Sequence, residues 1–264
     1  MNYHKTTLTA IITSILTISS LPANFIPLFQ PSQVLAQSTT SRAIEAERLF
    51  KQGIEYLNAQ QIDKARQSLQ NALTIYRELQ DQNQESVVLL MLGLTYQKFR
   101  DYTTAINYFE QGLKIVNTLP NRNNEFVFVR LLGDNYLILN NYPQAIKYYQ
   151  QALVIARAKK DIKNEKELLG NLSIGYIYVK NYPAAIEVSQ QGLAIANSSQ
   201  DARYKMIFFQ NLGKAHFFLK QYNKAADYTQ QSLQIARAIK DSKTEKELVN
   251  ILGMIAYEVK SQAQ

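Results

Sequence analysis

The 264-residue sequence has no cysteine, no tryptophan and only two histidines, His4 and His216. Without cysteine there is no disulfide, no zinc-thiolate centre, no thiol nucleophile and no lipid-modified cysteine. Two histidines cannot build a multi-histidine metal site, and a Ser-His-Asp device would have to rest on one of them; no Gly-x-Ser-x-Gly accompanies either. Charge is scarce as well. Lys plus Arg (29) exceed Asp plus Glu (21) to give +8, but only 19% of residues are charged, below the roughly 25% of an average soluble chain. Amides take their place: 26 Gln and 20 Asn make the expected surface polar and uncharged, unlike that of a highly charged disordered chain. These absences argue against an enzyme. The expectation is a binding protein with no catalytic, metal-ligating or cofactor-holding residues.

Residues 1–36 differ from the rest. Lys5 is their one cation, they contain no acid, and they hold three of the six prolines. A short polar start leads into a Thr/Ser-diluted apolar run over 8–21, whose 14 residues fall short of the ~18 a membrane span requires. Val34 and Ala36 then place small residues at −3 and −1 of a cleavage site. This reads as an export signal cut after Ala36, which implies the periplasm or another extracytoplasmic compartment. The alternative is an uncleaved membrane tether extended by Phe25, Ile26, Leu28 and Phe29.

What is abundant is repetition. Gly53, Gly93, Gly133, Gly213 and Gly253 lie on one 40-residue register, with Ser173 in the remaining slot. Twelve residues after the first five slots come Ala65, Ala105, Ala145, Ala185 and Ala225. Leu73, Leu113, Leu153, Leu193 and Leu233 follow, each with an Ile two residues on. The polar positions say where helices begin. Ser41, Asp81, Asn121, Asp161, Asp201 and Asp241 are expected N-caps opening a first helix in each unit. Glu85, Glu125, Glu165 and Glu245 follow four residues later, where a negative charge favours the helix start. Second helices are expected after Gln61, Asp101, Asn141, Asn181 and Gln221, with Pro143 and Pro183 in the first turn, where a missing N–H costs nothing. Each unit (about 41–80, 81–120, 121–160, 161–200 and 201–240) therefore predicts two helices and a tight turn, and 241–260 predicts one more helix. The register glycine is expected to face the alanine of the second helix, letting the two helices cross closely. Ala72, Gly112, Ala152, Gly192 and Ser232 repeat the device toward the next unit.

The string Leu92-Gly93-Leu94-Thr95-Tyr96, with Ala105, Phe109 and Gly112 behind it, resembles the tetratricopeptide repeat (TPR). Leu132-Gly133 with Tyr136, Ala145, Tyr149 and Ala152 resembles it equally. The likeness runs from residue 41 to the C-terminus. The family's usual 34-residue spacing and closing Pro are absent, which is similar to the longer repeat variety of kinesin light chains and of some exported bacterial proteins. The resemblance implies an all-α fold, a right-handed superhelical solenoid of five hairpins with a polar C-terminal capping helix.

It also implies a function: a non-catalytic scaffold that binds a protein or peptide segment in a concave groove lined by the first helices. Residues offset −3, +1 and +4 from the small slot would face that groove. They are Phe50, Ile54, Leu57; Leu90, Leu94, Gln97; Arg130, Asp134, Leu137; Gly170, Ile174, Ile177; Gln210, Lys214 and Phe217. This apolar lining suits an amphipathic segment, or else is simply buried between tightly wound helices. Asn171 and Asn211, two residues before the small slot, resemble rungs of an amide ladder on a peptide backbone, or are solvated amides. Arg130 with Asp134 reads as a local i,i+4 ion pair rather than a clamp for a C-terminal carboxylate. His216 occupies a tyrosine slot in the hairpin core. The lysine clusters at 159–163 and 240–246 are interleaved with acids, so nucleic-acid binding is not expected. A rival reading is a structural accessory subunit of an envelope or membrane complex that binds through its helix edges.

Overall fold

The computed structural model describes residues 33–262, with side chains from residue 39 onward. The chain divides into two compact units, Met1–Ser41 and Arg42–Gln264, and the repeats lie in the second. The expected signal over 1–36 lies outside the described residues up to position 32. Eleven helices and no strand occur among the described residues: α1 (Gln33–Asn58), α2 (Ile62–Glu78), α3 (Gln82–Lys98), α4 (Tyr102–Val116), α5 (Glu125–Ile138), α6 (Tyr142–Ala158), α7 (Ile162–Tyr178), α8 (Tyr182–Ser198), α9 (Ala202–Phe218), α10 (Tyr222–Ala238) and α11 (Ser242–Gln262). Five hairpins, α1/α2 to α9/α10, precede α11, and helices adjacent in sequence pack on one another from α2 onward. No described helix is long and apolar enough to cross a membrane.

Turns recur every 20 residues, at half the sequence period. Gln60, Gln80, Arg100, Asn140, Lys160, Lys180, Gln200, Lys220 and Lys240 all have φ between 53° and 64°. Each such residue ends a helix in the left-handed conformation, and the residue after it donates back to a carbonyl five positions earlier, as Asp81 N–H does to Tyr76 O (3.0 Å). The helix C-terminus is thereby sealed. That same following residue opens the next helix. Asp81, Asp101, Asn141, Asp161, Asn181, Asp201 and Asp241 each accept a bond from the N–H three residues on. Gln61 and Gln221 occupy the same place without a side-chain cap bond, because their extra methylene does not fold back as an Asx side chain does.

Two expected caps fail. Ser41 lies inside α1, which begins at Gln33 and also runs through the proposed cut after Ala36; residues 37–40 contain neither Gly nor Pro to end a helix. Asn121 lies in a longer loop, and α5 starts after Asn124 instead. The cause is Pro120, which stands in the left-handed slot but has φ locked near −65°.

No glycine has positive φ, so glycine serves packing rather than turns. The sequence expectation that it faces the alanine needs correction. A Cβ on Gly93 would lie 2.3 Å from the Phe109 ring, one on Gly133 2.6 Å from Tyr149, and one on Gly53 2.7 Å from Leu69. The socket therefore receives the residue 16 positions later. The alanine at +12 supplies only its backbone, with Ala65 O 3.4 Å from the Gly53 position. Where Ser173 replaces glycine, the knob shrinks to Ser189 and the two hydroxyls bond at 2.6 Å. The same spacing joins one hairpin to the next. Gly112 takes Phe128 and Gly192 takes Phe208, whereas Ala72 and Ala152, which keep a methyl, are paired in register with the smaller Val88 and Leu168, all of them fully buried.

Electrostatic ties alternate over 80 residues. Arg77 donates to Glu85 (2.7 Å) and Gln111 (2.9 Å), and Arg157 to Glu165 and Gln191 (both 2.8 Å). Arg237 repeats the bond to Glu245.

Opposite outcomes are expected on one register. Gly93→Ala should lower stability by about 1–2 kcal/mol, because overpacking against Phe109 exceeds the helix-propensity gain. Gly253→Ala, with no atom within 4 Å of the new methyl, should raise it by about 1 kcal/mol. Urea melts of the two variants check this. In the same assay Gln200→Gly should stabilise by about 1 kcal/mol, since a side chain in the left-handed conformation costs about that much.

Candidate binding groove

The residues expected to line a groove divide by hairpin. Phe50, Leu57, Leu90 and Leu94 are buried. Of the two readings left open for Leu90 and Leu94, groove lining or burial between helices, burial is the one found: they belong to the core of hairpin 2, while Ile54 and Gln97 are partly exposed. Arg130 and Asp134 form the expected ion pair (3.2 Å) and extend it, with Arg130 3.7 Å from Glu167 and the Tyr149 hydroxyl donating to Asp134 at 2.9 Å. Burial foremost, and then the Asp134 carboxylate, push the Tyr149 pKa far up. Burial also raises the Glu167 carboxyl, against the pull of Arg130. This network joins α5 to α7 with its charges spent on one another.

In hairpins 4 and 5 the two first helices meet directly. Lys166 of α7 is buried and donates to Asp201, the cap of α9, at 2.6 Å and to Ser199 at 3.2 Å. Further along, Asn211 is buried and its Nδ2–H bonds to Gly170 O (3.4 Å). Asn211 therefore ties helix to helix through its amide nitrogen, and Asn171, the other expected rung, is half-buried. Beyond these ties a cavity of about 420 Å³ opens, lined by Ile174, Ile177, Tyr178, Lys180, Tyr182, Asn211, Lys214, Phe217, Phe218, Ile251 and Met254.

Five residues of this lining, Ile174, Ile177, Asn211, Lys214 and Phe217, are sequence candidates. Asn171 and Gln210 are not on it. The sequence reading missed the other six for two reasons. Ile251 and Met254 sit at offsets −2 and +1 in α11, the same slots as Asn211 and Lys214, but a terminal capping helix is not expected to line a groove. Tyr178, Lys180, Tyr182 and Phe218 come from the hairpin turns, where a repeated aromatic one period apart was the available signal. The lining contains no carboxylate, and both lysines are exposed. His216 is buried as expected, stacked on Tyr228 (5.3 Å between centroids) with Nδ1 2.7 Å from Gln221 Oε1. No group of three or more potential metal ligands occurs among the described residues.

The tetratricopeptide repeat profile matches residues 54–118 and 127–198, and a second profile of the same repeat matches 208–239. The chain belongs to the tetratricopeptide repeat family. No curated protein matches its sequence. Among solved structures, it is similar to aspartyl phosphate phosphatase F from Bacillus subtilis (17% identity, TM-score 0.60), covering 86% of this chain and 61% of that one. A signal transduction ATPase with a tetratricopeptide repeat sensor from Pyrococcus horikoshii is 20% identical with a TM-score of 0.63, over 82% of this chain and 34% of that one. A putative kinesin light chain with TPR-like repeats from Podospora anserina is 16% identical with a TM-score of 0.61, over 75% and 97%. At these identities the likeness is one of fold, and the TPR chain spans less than two thirds of the first two proteins.

The TPR hairpins should respond to acid through their caps. The Asp161 pKa is lowered by the Asn164 side chain foremost, and Asp201 is lowered because Lys166 and the Tyr204 N–H outweigh burial. A folded value below the unfolded ~3.9 adds stability that is full above that value and is lost as pH falls through the folded one. Glu167, raised, has the opposite sign: it adds stability as pH falls through its folded value, in full only below the unfolded one. Asp201→Asn should cost about 1.5–3 kcal/mol at neutral pH. That gap should narrow as pH falls through the lowered folded value of Asp201, where the parent carboxylate itself takes up a proton. Melting temperatures across pH 2–8 test the sign.

Proposed function

We propose that this TPR array is a non-catalytic scaffold that binds an extended or helical protein segment across α7, α9 and α11. One observation carries the reading: a cavity opens between these helices, where Ile174, Phe217 and Met254 offer apolar surface and Lys180 and Lys214 offer cations. Apolar side chains of a bound segment would bury area there, with a few polar contacts setting its register. The Lys166–Asp201 and Asn211–Gly170 ties hold the two first helices in place before binding, which lowers the ordering cost. The partner is a protein or peptide. No nucleic acid, metal or cofactor enters the proposal. Export by residues 1–36 belongs to it as well, and would be read as an N-terminus at Gln37 in protein isolated from the host.

The test uses exposed positions so that the fold survives. Lys214→Glu with Met254→Glu should abolish crosslinking of the native partner to a photoreactive residue placed at Ile174, with an unchanged melting temperature. Lys159→Ala with Lys160→Ala, at an inter-hairpin turn, should leave it intact. Loss in the turn variant alone would move the site to the helix edges.

A further inference from the structure

Exposed large apolar side chains recur in hairpins 2 to 5 at the turn from first helix to second. They are Phe99, then Ile138 and Leu139, then Tyr178 and Val179, then Phe218, between 37% and 59% exposed. In hairpins 3 to 5 the row is continuous. Tyr142 stacks on Tyr178 of the next hairpin with centroids 4.3 Å apart and planes 1° from parallel, and Tyr182 stacks on Phe218 at 5.4 Å and 12°. The three turn windows, 136–144, 176–184 and 216–224, contain no Asp or Glu, and they hold Lys180, Lys220 and Lys224. None of these lysines has a carboxylate within ion-pair distance among the described residues. The turns at the opposite ends of the helices are different: Asp161, Asp201 and Asp241 cap them, and Arg157 and Arg237 are paired there with Glu165 and Glu245.

The backbone of this edge, like that of the other turns of the array, pairs its own N–H groups. Asn140 and Asn141, Lys180 and Asn181, and Lys220 and Gln221 all donate their N–H groups back to carbonyls of the helix just ended. An exposed loop normally needs water for those groups, and an apolar surrounding penalises any left unpaired. Tyrosines with an apolar ring and a polar tip, aliphatic side chains beside them, and lysines whose stems let the ammonium reach outward form the set found at the boundary of a bilayer. Three lysines over three hairpins are too few to follow a phosphate backbone.

We propose that the first-to-second-helix turns of hairpins 3 to 5 form a docking edge for the surface of an anionic phospholipid bilayer. Ile138, Leu139, Val179 and the stacked rings enter the headgroup boundary, and Lys220 and Lys224 pair with anionic headgroups. The edge meets the peptide cavity at Tyr178, Lys180 and Phe218, so the test avoids those residues and does not depend on the peptide reading.

The chain has no cysteine, so one introduced thiol takes one label. An environment-sensitive fluorophore is attached to full-length Leu139→Cys, and separately to Lys159→Cys on the opposite turns. Vesicles of phosphatidylcholine with about 30 mol % phosphatidylglycerol serve as the probe, against phosphatidylcholine alone. The expected result is a blue shift at position 139 with the anionic vesicles, weakened by salt, and none at position 159. Lys220→Glu with Lys224→Glu in the labelled chain should weaken vesicle binding at least about tenfold with an unchanged helical spectrum. A shift at neither position, which binding through residues 1–32 alone would produce, overturns the proposal. So does an equal shift at both positions or with neutral vesicles. Saturable binding of a single-stranded oligonucleotide with no response to vesicles would assign the edge to nucleic acid instead.

Discussion

The array depends on one contact repeated along the chain: a small residue opposite the side chain 16 positions later. Because a Cβ at Gly93 or Gly112 would stand 2.3 Å from a phenyl ring, the distance between neighbouring helices is set by the absence of that atom. The pair keeps its fit by complementary size rather than by fixed identity. Gly93, Gly112, Gly133 and Gly192 receive Phe or Tyr, Gly53 receives Leu69, Gly213 receives Thr229, and Ser173 receives Ser189. Interiors pack to crystal-like density, so a change on one side of such a pair is felt on the other. Each hairpin touches chiefly its neighbours, and the stability of the whole is close to a sum of these interfaces.

That use of glycine has a consequence at the turns. Helix ends usually spend glycine on the left-handed residue, but here nine side-chain-bearing residues adopt it. The strain is offset because a single residue pair closes one helix and caps the next, leaving few unpaired backbone groups. Pro120 shows what the device requires. With φ fixed it cannot take the left-handed slot, and the connection lengthens to α5. The self-satisfied turns are also what makes an apolar edge tolerable on the outside of the array.

The groove is shaped by how the first helices of successive hairpins approach. In hairpins 4 and 5 they are joined by a part-buried lysine–aspartate pair and by an amide–carbonyl bond. Such an ion pair is weak evidence for stability, since desolvation offsets much of its attraction. Its value here is geometric, because it fixes the helices beside the cavity. In hairpins 3 and 4 the Arg130, Asp134, Glu167 and Tyr149 network joins the first helices with groups already paired to one another.

Much of this was legible in the residues alone. Helix number, hairpin pairing, the inter-helix punctuation and the placement of His216 come from local chemistry copied every 40 residues, because caps and periodicity act over a few positions. The knob for each socket was present in the sequence too, at Leu69, Phe109, Tyr149, Ser189 and Thr229, but spacing by itself could not say whether the residue at +12 or at +16 fills the space. The groove was legible only in part. Leu94 and Lys214 occupy the same slot of the repeat, yet one is buried and the other faces solvent. Exposure there depends on the distance between helices 40 residues apart and on α11 supplying Ile251 and Met254. That distance is a sum over many side-chain volumes, so the sequence determined which residues form each helix and its pairing, and only the tertiary packing decided which of them remain open to a partner.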